Sequence, residues 1–191
     1  MLKLVTGLVI FFGVHSIRII APGWRDGMLM RFGAGAWKGL YSVASLIGFV
    51  LIVGGYAAAR LEPVVLYQPP FWLRHVAMLV MLPVFPLLLA AYLPGRIKAA
   101  VKHPMVLGVK TWAIAHVIAN GTVADTLLFN AFLLWGVLDY IAARTRDRKQ
   151  SLTYPAQGIG RDIAVVVVGL VAWVVFAKYL HGPLIGVAPF G

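Results

Sequence analysis

Along its length the chain alternates long apolar runs with short basic connections. Six runs reach or approach the roughly 20 residues that a helix needs to cross about 30 Å of hydrocarbon. They fall at about 2–20, 39–59, 74–93, 105–119, 122–142 and 162–181. The fourth is short, contains Lys110 and stops at Asn120-Gly121, a dipeptide that favours turns. A single helix over 105–142 would overrun the bilayer, so spans four and five are expected to form a tight helical hairpin. Of the two longest connections, 21–38 opens Ala-Pro-Gly-Trp and carries Arg25, Asp26 and Arg31 between Trp24 and Trp37. It reads as an interfacial loop with its tryptophans at headgroup level. The other, 143–161, holds the plainly hydrophilic run TRDRKQS. The pattern predicts an all-α, polytopic membrane helix bundle of about six transmembrane helices, arranged as one domain over 1–191, with no internal repeat.

Composition agrees. Hydrophobic residues make up 61% of the chain and charged residues 12%, against roughly half and a quarter in soluble domains. The net charge of +11 raises nucleic acid as a partner, but such a face needs a solvated basic patch on a fold that carries it. Here the bases sit between apolar spans, so the lipid bilayer is the expected partner and nucleic acid is not. The connections after spans one, three and five hold thirteen Lys and Arg: Arg18, Arg25, Arg31 and Lys38; Arg96, Lys98, Lys102 and Lys110; Arg144, Arg146, Arg148, Lys149 and Arg161. The opposite side holds four, Lys3, Arg60, Arg74 and Lys178. The positive-inside rule then places the three basic connections in the cytoplasm and both termini outside. The TRDRKQS run reads as an orientation signal that meets anionic lipid. The start has one lysine and no small-residue cleavage site, which predicts a retained first span.

Much chemistry is excluded. Cysteine is absent, which removes disulfides, thiolate metal sites and cysteine nucleophiles. No paired carboxylates, Gly-x-Ser-x-Gly elbow or phosphate loop occur. Asp125, three residues after Thr122, reads as a capping box at the start of span five. Asp139 sits where a loop arginine can pair with it.

Attention falls on the histidines, of which there are five. His116 and His15 lie inside apolar runs, and an ionisable residue at that depth is a functional-site hypothesis. Trp112, His116 and Asn120 share one helix face, with Gly108, Ala115 and Ala119 on or beside it. Such small residues admit a neighbouring helix or a flat macrocycle. His15 shares a face with Phe11, Phe12 and Ile19, and Arg18 lies one turn on. Two readings stand side by side. Each ring is a polar residue bonded to a backbone carbonyl, a modest contribution of about 0.6 kcal/mol, or the two hold a buried metal or haem. Arg18 is likewise a snorkelling anchor or a cation for haem propionates. The two rings sit on the order of 12 Å apart along the membrane normal at 1.5 Å per residue, which a bis-imidazole iron bridges only with a tilted macrocycle. His75, His103 and His181 read as interfacial, capping and span-ending residues, and none of the five has zinc-site spacing.

Several strings resemble the NnrU family of bacterial membrane proteins over nearly the whole chain. They are GVHSIRIIAPGWRDGM at 13–28, WKGLYSVASLIGF at 37–49, PPFWLRH at 69–75 and AAYLPGRIKAAVKHPMVLGVKTWAIAHVIANGTVADTLLF at 90–129. The resemblance implies a bacterial inner membrane, with the termini periplasmic. It also implies an association with genes for nitrite and nitric oxide reductase expression, hence denitrification and other membrane proteins as partners.

The chain is also distantly similar to the plant 15-cis-zeta-carotene isomerase, a haem b membrane enzyme. The similarity rests on the first-span His-Ser, then His-Pro, a glycine, and Trp-x-x-x-His followed by a glycine. It implies haem b as cofactor, His15 and His116 as axial ligands, and Trp112, Asn120 and Arg18 around the macrocycle. The isomerase's alternative cysteine ligand falls on Ala113, so the isomerisation chemistry is not implied. Three functions follow as expectations. One is a b-type haem protein with a redox or nitric-oxide-linked role. Another is a haem-dependent isomerase or oxidoreductase acting on an apolar, lipid-soluble small molecule. The last is a non-catalytic regulatory or assembly factor for denitrification enzymes.

Overall fold

A computed structural model describes residues 1–190. The described chain is helical and falls into two compact units, the first of residues 1–67 with 122–131, the second of 68–121 with 132–190.

In the first unit α1, Leu2–Ile20, is followed after one residue by α2, Pro22–Ala59. The connection 21–38, expected as a loop, is helical instead. Pro22 starts it because a first-turn proline surrenders no helical hydrogen bond, and only Gly33, at φ 79° and ψ 161°, breaks it. That backbone region is open to glycine and strained for other residues. The two helices run antiparallel and meet through glycine. A Cβ on Gly7 would stand 2.6 Å from the Ile52 nitrogen, and one on Gly48 would stand 2.8 Å from that of Phe11. A Cβ on Gly55 would collide with the backbone of Leu4. Small residues of this kind let membrane helices approach closely, so dispersion contacts accumulate where no hydrophobic drive exists. Beyond α2, Val65 forms an antiparallel bridge with Thr122, and the Val123 amide donates to the Val64 carbonyl at 2.9 Å.

Helix α7 spans Val123–Lys149, its first residues belonging to the first unit and the rest, from Phe132, to the second. The expected capping box is present in both directions. The Asp125 amide donates to Thr122 Oγ1 at 3.1 Å, and the Thr122 amide donates to Asp125 Oδ2 at 3.0 Å. The Tyr56 hydroxyl also donates to Asp125 Oδ1 at 2.5 Å, which accounts for a carboxylate that is only 6% exposed.

In the second unit the third span is two helices, α3 (Trp72–Met81) and α4 (Val84–Tyr92), joined at Pro83. A short α5, Arg96–Val101, takes its amino-terminal cap from Asp162, whose carboxylate accepts from the amides of Arg96 and Ile97 at 3.0 and 2.9 Å. Helix α6, Pro104–Ala119, has 16 residues, about 24 Å at 1.5 Å each. It packs on α3 and α4, while α4 also packs on α8, Ile159–Val175. There Gly169 lies so close to Pro86 that a Cβ would stand 2.6 Å from its nitrogen. The expected hairpin forms, with α6 and the later part of α7 antiparallel: Trp112 meets Phe132, Lys110 meets Gly136 and Tyr140, and His103 meets Asp147. A π-helical turn, Phe176–Leu180, leads from α8 into α9, His181–Ile185.

Five helical stretches are long and apolar enough to cross a membrane, and α6 is a shorter apolar helix. Their outward faces stay apolar, as with Leu46, Val50 and Val53 on α2 and Val167 and Val171 on α8, each more than half exposed. A face of that size has no place in water and suits lipid tails.

Candidate functional site

His15 sits three-quarters of the way along α1, half-buried. Its Nδ1 donates to the Phe11 carbonyl, one turn back, at 2.7 Å. The Phe11 ring stacks on it at 4.0 Å between centroids, and the Tyr41 ring lies at 5.1 Å. Tyr41 also lines an apolar slot of about 80 Å³ with Val14, Ile17, Trp24 and Trp37. Arg18, one turn on, is exposed and makes no ion pair among the described residues.

His116 repeats the same arrangement in α6. Its Nδ1 donates to the Trp112 carbonyl at 2.8 Å, with the indole 4.9 Å from the imidazole. The Phe132 ring closes edge-on against Trp112 at 5.3 Å. Asn120 shares this face, but its side-chain amide is committed, donating to the His116 carbonyl at 2.8 Å and capping the end of α6. Ala113 is fully buried, so no ligand comes from that position. His15 belongs to the first compact unit and His116 to the second.

The shared hydrogen bond carries a chemical point. A carbonyl oxygen only accepts, so Nδ1 carries a proton in both rings. Metal-bound histidines are held in this way, with the second nitrogen donating to a carbonyl or carboxylate. Among the described residues no three His, Asp or Glu gather as a metal-binding group.

A third imidazole was not expected here. His181, the first residue of α9, lies with its ring centroid 6.5 Å from that of His116, the planes 25° apart. Its Nδ1 donates to the Val187 carbonyl at 2.7 Å. Sixty-five residues separate the two in sequence, and no local pattern joins them. His75 is exposed beside Phe71.

The sequence reading also missed a polar cluster. His103 stands at the N-cap position of α6 but its side chain makes no cap bond; its Nε2 instead reaches Asp147 Oδ2 at 2.8 Å. Asp147, 6% exposed, further accepts from the Tyr154 hydroxyl at 3.0 Å and faces Arg144 at 3.5 Å. Burial first, then donation to Asp147 and its negative charge, push the Tyr154 phenol above the usual tyrosine range. Just before His103, Lys102 has φ 65° and ψ −48°, and the His103 amide bonds the Val101 carbonyl at 2.8 Å. This is a classic-type γ-turn, a strained conformation outside glycine. Asp139 pairs with an arginine as expected, at 3.8 Å, but Arg146 belongs to the last turns of α7 and not to a loop.

These features define a multi-pass, all-α membrane protein. The chain belongs to the NnrU family: the family model described as NnrU protein matches residues 3–189. No curated protein and no solved structure matches it.

Proposed function

We propose that this NnrU protein is a b-type haem protein of the bacterial inner membrane, with a redox or nitric-oxide-linked role in denitrification. His116 and His15 are the proposed axial ligands, and Arg18 is the cation for a propionate. The observation that carries this reading is the pair of bonds from Nδ1 to a carbonyl four residues back, the kind of second bond that orients a metal-bound histidine. Aromatic walls around each ring, Phe11 and Tyr41 for one and Trp112 for the other, suit a macrocycle that must be kept from water. Haem would supply one-electron chemistry or a binding position for a small diatomic molecule. The residues named here would hold the iron, fix the tautomers and set the charge beside the propionates. In this reading both termini are periplasmic, as the basic connections favour.

The test is haem titration of the purified protein in detergent. The wild type is expected to develop a Soret band, His116→Ala to lose it or weaken binding at least tenfold, and His75→Ala to keep it. A wild type that stays colourless with haem present overturns the reading.

A further inference from the structure

The chain between the first two spans does not run straight. Ala21, at φ −133° and ψ 58°, ends α1, and Gly33, at φ 79° and ψ 161°, interrupts α2. Residues 22–32 are therefore a separate helical arm of about 16 Å at 1.5 Å per residue, too short to cross roughly 30 Å of hydrocarbon. Trp24 and Trp37 show where the arm goes. In an unbroken helix their backbones would stand about 20 Å apart, yet their rings meet edge-on at 5.8 Å. The arm folds back at Gly33 onto the helix that follows. The close contacts set Leu4, Gly7 and Phe11 against Gly55, Ile52 and Gly48, so the arm lies at the end of the hairpin where α1 stops, not at mid-span.

That corner contains the apolar slot, walled by Val14 and Ile17 of α1, Trp24 of the arm, and Trp37, Leu40 and Ala44 of α2. Trp24 is 53% exposed and Leu40 70%, so the slot opens outward. Three of these residues are followed directly by a cation: Ile17 by Arg18, Trp24 by Arg25 and Trp37 by Lys38. The single acid between Val14 and Ala44, Asp26, pairs with Arg25 at 2.9 Å. Arg18 and Lys38 are exposed and make no ion pair among the described residues. Apolar walls, indoles suited to headgroup level and unmatched positive charge beside them complement one kind of molecule. We propose that this corner binds an anionic phospholipid, with part of an acyl chain in the slot and the phosphate drawn to Arg18 and Lys38. A zwitterionic lipid offers the slot the same chains, but its headgroup adds a cation that these side chains repel. With Arg18 given to a haem propionate, Lys38 still selects the headgroup, so the site stands apart from the haem reading.

Bromine on an acyl chain quenches an indole that it touches, which gives a direct test with full-length protein in phosphatidylcholine vesicles. A minor share of the lipid carries brominated chains, on phosphatidylglycerol in one set and on phosphatidylcholine in the other. Half-maximal quenching of the wild type is expected at about a fivefold lower share of the phosphatidylglycerol, the effect of one basic residue at an anionic headgroup. That preference should vanish in Trp24→Phe/Trp37→Phe, which keeps the other tryptophans, and in Arg18→Gln/Lys38→Gln. Both cations are exposed, so their replacement leaves the packing intact. Ala44→Leu, which narrows the slot, should weaken quenching by both lipids. Arg148→Gln/Lys149→Gln removes two exposed charges elsewhere and should change nothing. Equal quenching of the wild type by the two lipids overturns the proposal. A preference that survives loss of both tryptophans or both cations, or that falls with Arg148 and Lys149 instead, also overturns it, because it then reports the general attraction of a basic protein for anionic lipid.

Discussion

At the scale of single residues, this protein gives each of three imidazoles on its helices a defined hydrogen bond. His15, His116 and His181 each give the Nδ1 proton to a carbonyl, which offsets part of the cost of burying an imidazole. Asp147 follows the same rule with several donors, and its neighbour Tyr154 carries a testable consequence. Because its phenol is raised above the ordinary value of about 10, the folded state favours the neutral form. Its contribution to stability is therefore complete below that value and is lost as pH climbs through the folded pKa. Tyr154→Phe is expected to cost about 1 kcal/mol near neutral pH. The difference from wild type should vanish in strong alkali, as thermal unfolding in detergent across the pH range would report. A constant difference at all pH values would contradict this account. The capping box of Thr122 and Asp125 was legible in sequence because caps act within four residues. Asp147 was not, since its partners lie forty-four residues back and seven ahead.

At the scale of elements, glycine positions decide which helices touch. On α2, Gly48 and Gly55 lie seven residues apart and receive Phe11 and Leu4, also seven apart, with Gly7 set against Ile52 between them. Gly39 on the same helix faces open space. Gly55→Leu should push α1 off α2 and cost about 1–3 kcal/mol or more as an overpacked contact. Gly39→Ala should be neutral or stabilising by about 0.5–1 kcal/mol, because alanine is the better helix former. Melting temperatures of the two variants give the comparison, and equal effects would contradict the close-contact argument. Gly136 plays a related part in α7. A Cβ there would stand 2.7 Å from Lys110 Cγ, and the space lets the Lys110 ammonium lie 4.7 Å from the centre of the Tyr140 ring. A lysine inside a short apolar helix is thus accommodated by a cation–π contact rather than a counter-ion.

At the scale of the whole molecule, the governing facts are the apolar helices and the uneven distribution of Lys and Arg. The orientation that follows is checked by reporter fusions. A phosphatase that works only outside the cytoplasm is expected to be active at either terminus and inactive when inserted after Gln150. Activity at position 150 with silence at the termini would reverse the assignment. The helical course of 22–38 does not alter the reasoning, since the rule counts charges near span ends and is indifferent to their secondary structure.

What the sequence determined by itself is therefore the class: an all-α, multi-pass membrane chain of the NnrU family. Hydropathy suffices there because a bilayer demands long apolar helices and offers them few alternatives. It also marked His15 and His116, since an imidazole in an apolar run stands out at once. Only the tertiary structure decided that 21–38 is helix broken at Gly33, that Asp147 gathers His103 and Tyr154, and that His181 stands beside His116. Each of these depends on a backbone torsion or on contacts between residues far apart in the chain. Periodicity records which face of a helix is apolar, but not which distant side chain will meet it.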